Sequence, residues 1–195
     1  EPLRWNRAAA HVGKPARVFC ASMADVFENN RTLDAERAKL WSLISETPWL
    51  QWQLLTKRPE SILAMVPWPD QWPSNVWIGT SVENQDAADT RVAHLRRIPA
   101  AVRFLSCEPL IGPITELDLT GIHWVIAGGE SGASHRPVDI TWLRSLRDRC
   151  TEAGIAFFFK QWGGRTSKSG GRELDGRVWN EFPAVAHVSI DHALS

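Results

Sequence analysis

Tyrosine is absent from this chain of 195 residues, methionine occurs twice and cysteine three times. The cysteines, Cys20, Cys107 and Cys150, are odd in number and far apart, so they form no disulfide framework. No Cys-x-x-Cys pair is present for zinc or redox work, and the expected setting is reducing and cytoplasmic. No apolar stretch reaches membrane-spanning length and no signal-peptide pattern is seen, so no membrane partner is expected. Surplus charge is missing as well, since 22 Lys plus Arg balance 22 Asp plus Glu. That excludes a general nucleic-acid-coating role, which needs excess cations to displace counterions, and leaves room for a local basic patch. The six histidines are scattered, without His-x-His or His-Glu-x-x-His spacing, so no metal site built from this chain alone is expected. Neither Gly-x-Gly-x-x-Gly nor a Gly-Lys-Ser/Thr phosphate loop occurs.

What is plentiful is tryptophan, with 11 residues. Trp49, Trp68, Trp72 and Trp77 stand near prolines or strand starts, where a large flat side chain can plug the end of a barrel. More telling are six short apolar runs, each ending in polar, charged or sulfur-bearing residues. They are Val18–Ala21 before Ser22 and Asp25, Gln51–Leu55 before Thr56, Lys57 and Arg58, and Val76–Gly79 before Ser81 and Glu83. Val102–Leu105 precedes Ser106, Cys107 and Glu108, Trp124–Ala127 precedes Gly128-Gly129-Glu130-Ser131-Gly132, and Ile155–Phe159 precedes Lys160 and Gln161. Buried parallel strands read as continuous apolar runs, and ligands of α/β proteins gather at their carboxyl ends.

Helical periodicity lies between the runs. Leu33–Glu46 carries Leu40, Trp41 and Ile44 with charges opposite, and Asn84–Ile98 opens on a polar cap. Asp139–Ala153 ends at Gly154, which suits a left-handed cap, and Ser61–Val66 has room for one turn. The link from Leu110 to Ile122 is too short and Gly-Pro-broken for a crossover helix. Arg4-Trp5 opens without helix or strand punctuation. These patterns predict an α/β chain: an incomplete, TIM-like parallel barrel of about six strands over residues 1–163, then a Gly-rich tail over 164–195. In that tail Asp175-Gly176 predicts a tight hairpin. A barrel is favoured over an open doubly wound sheet because polar residues follow every strand rather than one switch point.

Candidate chemistry gathers at the strand ends. Glycines at 128 and 129 permit close backbone approach, so exposed amides can meet a phosphate or carboxylate while Glu130 and Ser131 contact polar groups. The other reading of this loop is a strand-to-helix turn with Glu130 in an ion pair. Glu83, Glu108, Lys57 and Lys160 are the candidate catalytic groups, and Asp25, Arg58, Ser81 and Gln161 are candidate binding groups. Lys57 and Arg58 either neutralise Glu83 and Glu108 or hold an anionic substrate. Cys107, beside a carboxylate, has its thiolate disfavoured and is read as a packing residue. His135 is placed to reach the glycine loop, whereas His94 and His123 are read as surface or element-edge residues. Helical arginines, including Arg91, Arg144 and Arg147, are read as a solvated face.

These segments together, with Phe19–Phe27, Leu55–Pro59, Val76–Glu83, Phe104–Leu110, Gly128–Gly132, Phe157–Gly163 and Leu174–Arg177, resemble phage- and prophage-associated proteins of unknown function that look like relatives of radical-SAM enzymes. The resemblance implies a radical-SAM-like barrel, S-adenosylmethionine and a [4Fe–4S] cluster, and a small-molecule or nucleotide-type substrate. It also implies a Cys-rich cluster segment, which this chain lacks and which would stand upstream of Glu1. Such a cluster needs three close thiolates, leaving one iron for S-adenosylmethionine, and Cys20, Cys107 and Cys150 do not supply that spacing. Two other readings stay open: a non-catalytic binding or scaffold barrel that has lost the cluster, and a cofactor-independent hydrolase or lyase using Glu83 and Glu108 as acid and base.

Overall fold

The apolar runs become strands whose order in space repeats their order in sequence. The computed structural model of the chain describes residues 1–20, 24–68, 71–166 and 169–184. The strands are β1 (Ala16–Cys20), β2 (Leu50–Thr56), β3 (Val76–Ser81), β4 (Val102–Cys107), β5 (Trp124–Gly128) and β6 (Ala156–Gln161). All neighbours pair in parallel in the order 1 to 6, and the sheet curls into a half-barrel. The helices are α1 (Pro2–His11), α2 (Asp34–Glu46), α3 (Ile62–Met65), α4 (Gln85–Arg96) and α5 (Ile140–Ala153).

Local chemistry explains the boundaries. Asn84 caps α4 by accepting from the Ala87 amide, and Asp139 caps α5 through the Thr141 amide. Gly154 closes α5 at a φ of 67°, a left-handed turn that glycine adopts without strain. No helix intervenes between β4 and β5, in keeping with the short 110–122 link. The first residues depart from the sequence reading: Pro2 sits in the first turn of α1, where its missing N–H costs nothing, and an alanine-rich run continues the helix.

Alternation along each strand sorts side chains onto two faces. The outer set, including Trp52, Leu54, Ile78, Leu105, Val125 and Phe157, forms the main core beneath the helices. The inner set, Trp77, Val102, Phe104, Trp124 and Ile126 with Leu55 and Phe158 against them, fills the amino-terminal part of the concave face. Each fully buried aromatic or aliphatic side chain stabilises the fold by roughly 2 kcal/mol. Toward the carboxyl end the inner face turns polar on β3 and β4, with Ser81 beside Ser106 in register, while Ile126 and Phe158 at the same level stay apolar. Trp77 thus belongs to the barrel interior, whereas Trp68 and Trp72 pack with Trp41 on the helix side.

The tail forms the expected hairpin, β7 (Glu173–Leu174) and β8 (Arg177–Val178), with Asp175 at φ 55° and Gly176 at φ 74° as its two-residue turn. Trp179–Glu181 then runs antiparallel beside β6, with Phe159 N donating to Trp179 O at 3.0 Å and Glu181 N to Phe157 O at 3.2 Å. Phe182 packs tilted against Trp124 and edge-on to Phe158, and the Arg17 guanidinium of β1 lies 3.6 Å from its ring centre. The tail therefore covers the β6 edge and reaches the opposite strand of the half-barrel.

Candidate functional site

Asp25 follows β1 in a loop that α2 holds in place. Arg37, a charged residue expected on the solvent side of α2, is buried instead. It donates to the carbonyls of Val26, Glu28 and Asn30 and pairs with Asp34 at 2.6 Å. Burying that guanidinium is tolerated because its donors find fixed acceptors. So anchored, Asp25 accepts from the Phe27 amide, the Thr56 hydroxyl (2.7 Å), the Lys57 amide (3.1 Å) and the Arg58 guanidinium (2.8 Å). The end of β1 is thereby locked to the end of β2. Ser22, with Ala21 and Met23, lies outside the described residues.

Lys57 links this group to the next, because its ammonium donates to Glu83 Oε1 at the end of β3. Glu83 Oε2 accepts from Arg91 Nη1 at 2.7 Å, and the same guanidinium nitrogen donates to Ser81 O at 2.8 Å. Burial pushes the Glu83 carboxyl up, but the Lys57 hydrogen bond and the charges of Arg91 and Lys57 outweigh it and hold the group below its ordinary value. At the end of β4, Glu108 pairs with Lys160 of β6 at 2.8 Å, and the Glu108–Pro109 peptide is cis. Cys107 faces the core, where burial first, and Cys150 and Glu83 after it, raise its thiol. The neighbouring carboxylate on which the sequence reading rested is not the main cause.

The glycine loop after β5 is knitted to the chain after β6. Gly129 N donates to Gln161 O and Gly132 N to Gly164 O, both at 2.9 Å, so two of the amides that the sequence offers to an anion are occupied. A Cβ on Gly129 would stand 1.9 Å from the Trp162 carbonyl oxygen, so this close approach needs glycine. Gln161 donates to Ser131 Oγ at 2.9 Å, so these two candidates brace one another. Glu130 receives the Arg136 backbone N–H, Nε and Nη2, each at 2.8 Å, and this pairing holds its carboxyl at about 2. His135 contacts Gly132 O at 2.9 Å in the same loop.

The half-barrel thus brings together Asp25, Lys57, Arg58, Ser81, Glu83, Glu108 and Lys160, with Gly128 beside Glu108, and holds Gly129, Glu130, Ser131 and Gln161 at the adjoining loop. A cleft of about 380 Å³ opens among Lys57, Glu83, Arg91, Pro109, Ile111 and Arg136. Two larger clefts, of about 580 and 670 Å³, are lined by none of these strand-end charges. Arg91 and Arg136 are the residues that sequence reasoning missed. Arg91 sits two turns into the helix that leaves Glu83, a spacing that turns it back toward the strand end; Arg136 has no comparable signal.

One asymmetry runs through the site. In each of four pairs the carboxylate is the covered partner: Lys57 is 60% exposed against 12% for Glu83, Arg58 43% against 16% for Asp25. Arg136 is 58% exposed against 26% for Glu130, and Lys160 52% against 18% for Glu108. The mouth presents cations to solvent, with their counter-charges underneath.

Among the described residues no group of three or more Cys, His, Asp or Glu stands close enough to hold a metal. Cys107 and Cys150 are buried, Cys150 with its thiol pushed up to about 12 by burial, and Cys20 is half-buried on the outer face of β1. No described helix is long and apolar enough to cross a membrane. The profile of a family described as "Protein of unknown function (DUF5131)" matches residues 1–183. No curated protein and no solved structure matches the chain.

Proposed function

From a chain that belongs to the DUF5131 family of proteins of unknown function, an activity must be read at the site itself, and we propose that its barrel mouth holds an anionic, nucleotide-type substrate for an enzymatic reaction. The carrying observation is the exposed ring of Lys57, Arg58, Arg136 and Lys160, each backed by a covered carboxylate. Guanidinium groups recognise phosphate by paired donors, and lysines add point charge. The carboxylates beneath hold these cations in place, so less side-chain freedom is lost when an anion arrives.

The resemblance to phage-associated relatives of radical-SAM enzymes favours a nucleic-acid-derived substrate, with S-adenosylmethionine and a [4Fe–4S] cluster as the implied cofactors. The described residues of this chain do not fit the cluster, so no step is drawn through it. In the acid–base reading, Glu83, ionised near neutral pH with Lys57 and Arg91 on it, has no proton to donate, so only the base role is open to it. The free thiols support a cytoplasmic setting.

Calorimetric titration with pyrophosphate and with adenosine 5′-monophosphate tests the reading. Saturable binding is expected, weakened about tenfold by Lys57→Gln or Lys160→Gln and further by salt. Absence of binding for both probes, or unchanged affinity in both variants, overturns it.

A further inference from the structure

Beneath the cations, the inner face carries two side chains that the ion pairs leave unused. Ser81 and Ser106 are each 5% exposed and are register partners on β3 and β4. Neither hydroxyl has a hydrogen-bonding partner among the described residues. The sealed, unpartnered polar atoms of the described chain are instead the indole nitrogens of Trp68, Trp72 and Trp77. The two hydroxyls therefore keep a narrow opening onto the concave space rather than being entombed in packing. Two nearly buried hydroxyls that no described protein group satisfies stand side by side, free to meet a partner from the concave space.

Geometry limits what that partner can be. Neighbouring strands lie about 4.8 Å apart, so the hydroxyls stand side by side. Each is two residues before a carboxylate of the mouth, Ser81 before Glu83 and Ser106 before Glu108, at the point where its strand ends. The floor beneath is closed, because the Phe104 ring fills the space that a side chain on Gly79 would need, and Phe104 is fully buried. Ile126, next to Ser106 in register, gives that level an apolar wall.

We propose that Ser81 and Ser106 bind the vicinal diol of a ribose whose phosphate is held by the cations above. This rests on the anion site proposed for the mouth and extends it from an anion to a ribonucleotide. A serine hydroxyl both donates and accepts, so each can complete one hydroxyl of the diol without adding charge. The phosphate stays at the cations of the mouth, and the diol meets the two serine hydroxyls.

The test compares adenosine 5′-monophosphate with its 2′,3′-dideoxy analogue by calorimetric titration of the whole chain. The ribonucleotide should bind about tenfold more tightly than the analogue. The Ser81→Ala/Ser106→Ala double variant should abolish that difference. Equal binding of the two nucleotides by the unaltered protein overturns the diol site and leaves the anion site standing. Persistence of the preference in the double variant also overturns it. Binding of neither nucleotide removes the anion site, and the diol site with it. Should the double variant not fold, the unaltered protein's preference and the two single variants decide.

Discussion

Glu83 shows how opposing effects settle one residue's charge. It is 9% exposed, which alone would favour the neutral acid, yet two cations win and its carboxyl titrates below the ordinary range. A carboxyl lowered on folding adds stability above its unfolded pKa of about 4.3, and that stability is lost as pH falls through the folded value. Glu83→Gln keeps the volume but leaves Arg91 and Lys57 facing a neutral amide. Urea unfolding at neutral pH should show a loss of about 1–3 kcal/mol, mostly through the half-buried Arg91, because solvent screens Lys57. Below about pH 4.3 the variant's stability should fall less steeply than that of the unaltered protein. Equal acid sensitivity in both proteins would show that Glu83 is not ionised by its neighbours. That Glu83, Lys57, Glu108 and Lys160 are polar groups at strand ends was legible residue by residue. Which cation meets which carboxylate was not: Arg58 turns to Asp25, and Lys160 reaches Glu108 across β5.

At the scale of elements, the strands were legible because a strand covered on both faces must be apolar throughout, and a run of that kind has few other uses. The caps at Asn84 and Asp139 and the turn at Asp175-Gly176 were legible because the backbone there demands those residue types. Arginines on helices were not, because periodicity separates apolar from polar faces without saying what a polar face meets. Arg144 and Arg147 of α5, read as solvated, both pair with Asp175, the first of them at 2.6 Å. Hydrogen bonds from the two guanidiniums, with their charges after them, hold the Asp175 carboxyl at about 2. This contact ties the hairpin to α5, and through Trp179 it steadies the strand-like segment beside β6. Asp175→Ala should therefore speed hydrogen–deuterium exchange at the Phe159 and Glu181 amides, while the amides of β3 and β4 keep their protection. Uniform exchange changes, or none, would mean that the clamp does not restrain the tail.

For the whole molecule, the decisive feature is how a sheet of six strands, short of a closed barrel, manages its edges. Trp179–Glu181 pairs with β6, Trp124 Nε1 donates to Glu181 O at 2.9 Å, and Phe182 spans from Trp124 to Arg17. Deleting residues 179–195 should expose the β6 edge and the apolar inner face together, and size-exclusion chromatography should show a shift to larger species. A monomer of unchanged stability would mean that the tail is no edge cover. By itself the sequence determined the parallel α/β class, the strand-end placement of the polar groups and the hairpin, since burial and backbone geometry act over a few residues at a time. Only the tertiary structure decided the pairing of charges, the layering of cations over carboxylates, the recruitment of Arg91 and Arg136, and the nearly buried, unpartnered hydroxyls of Ser81 and Ser106. Those depend on sheet curvature and register, which bring together residues tens of positions apart and which no local pattern encodes.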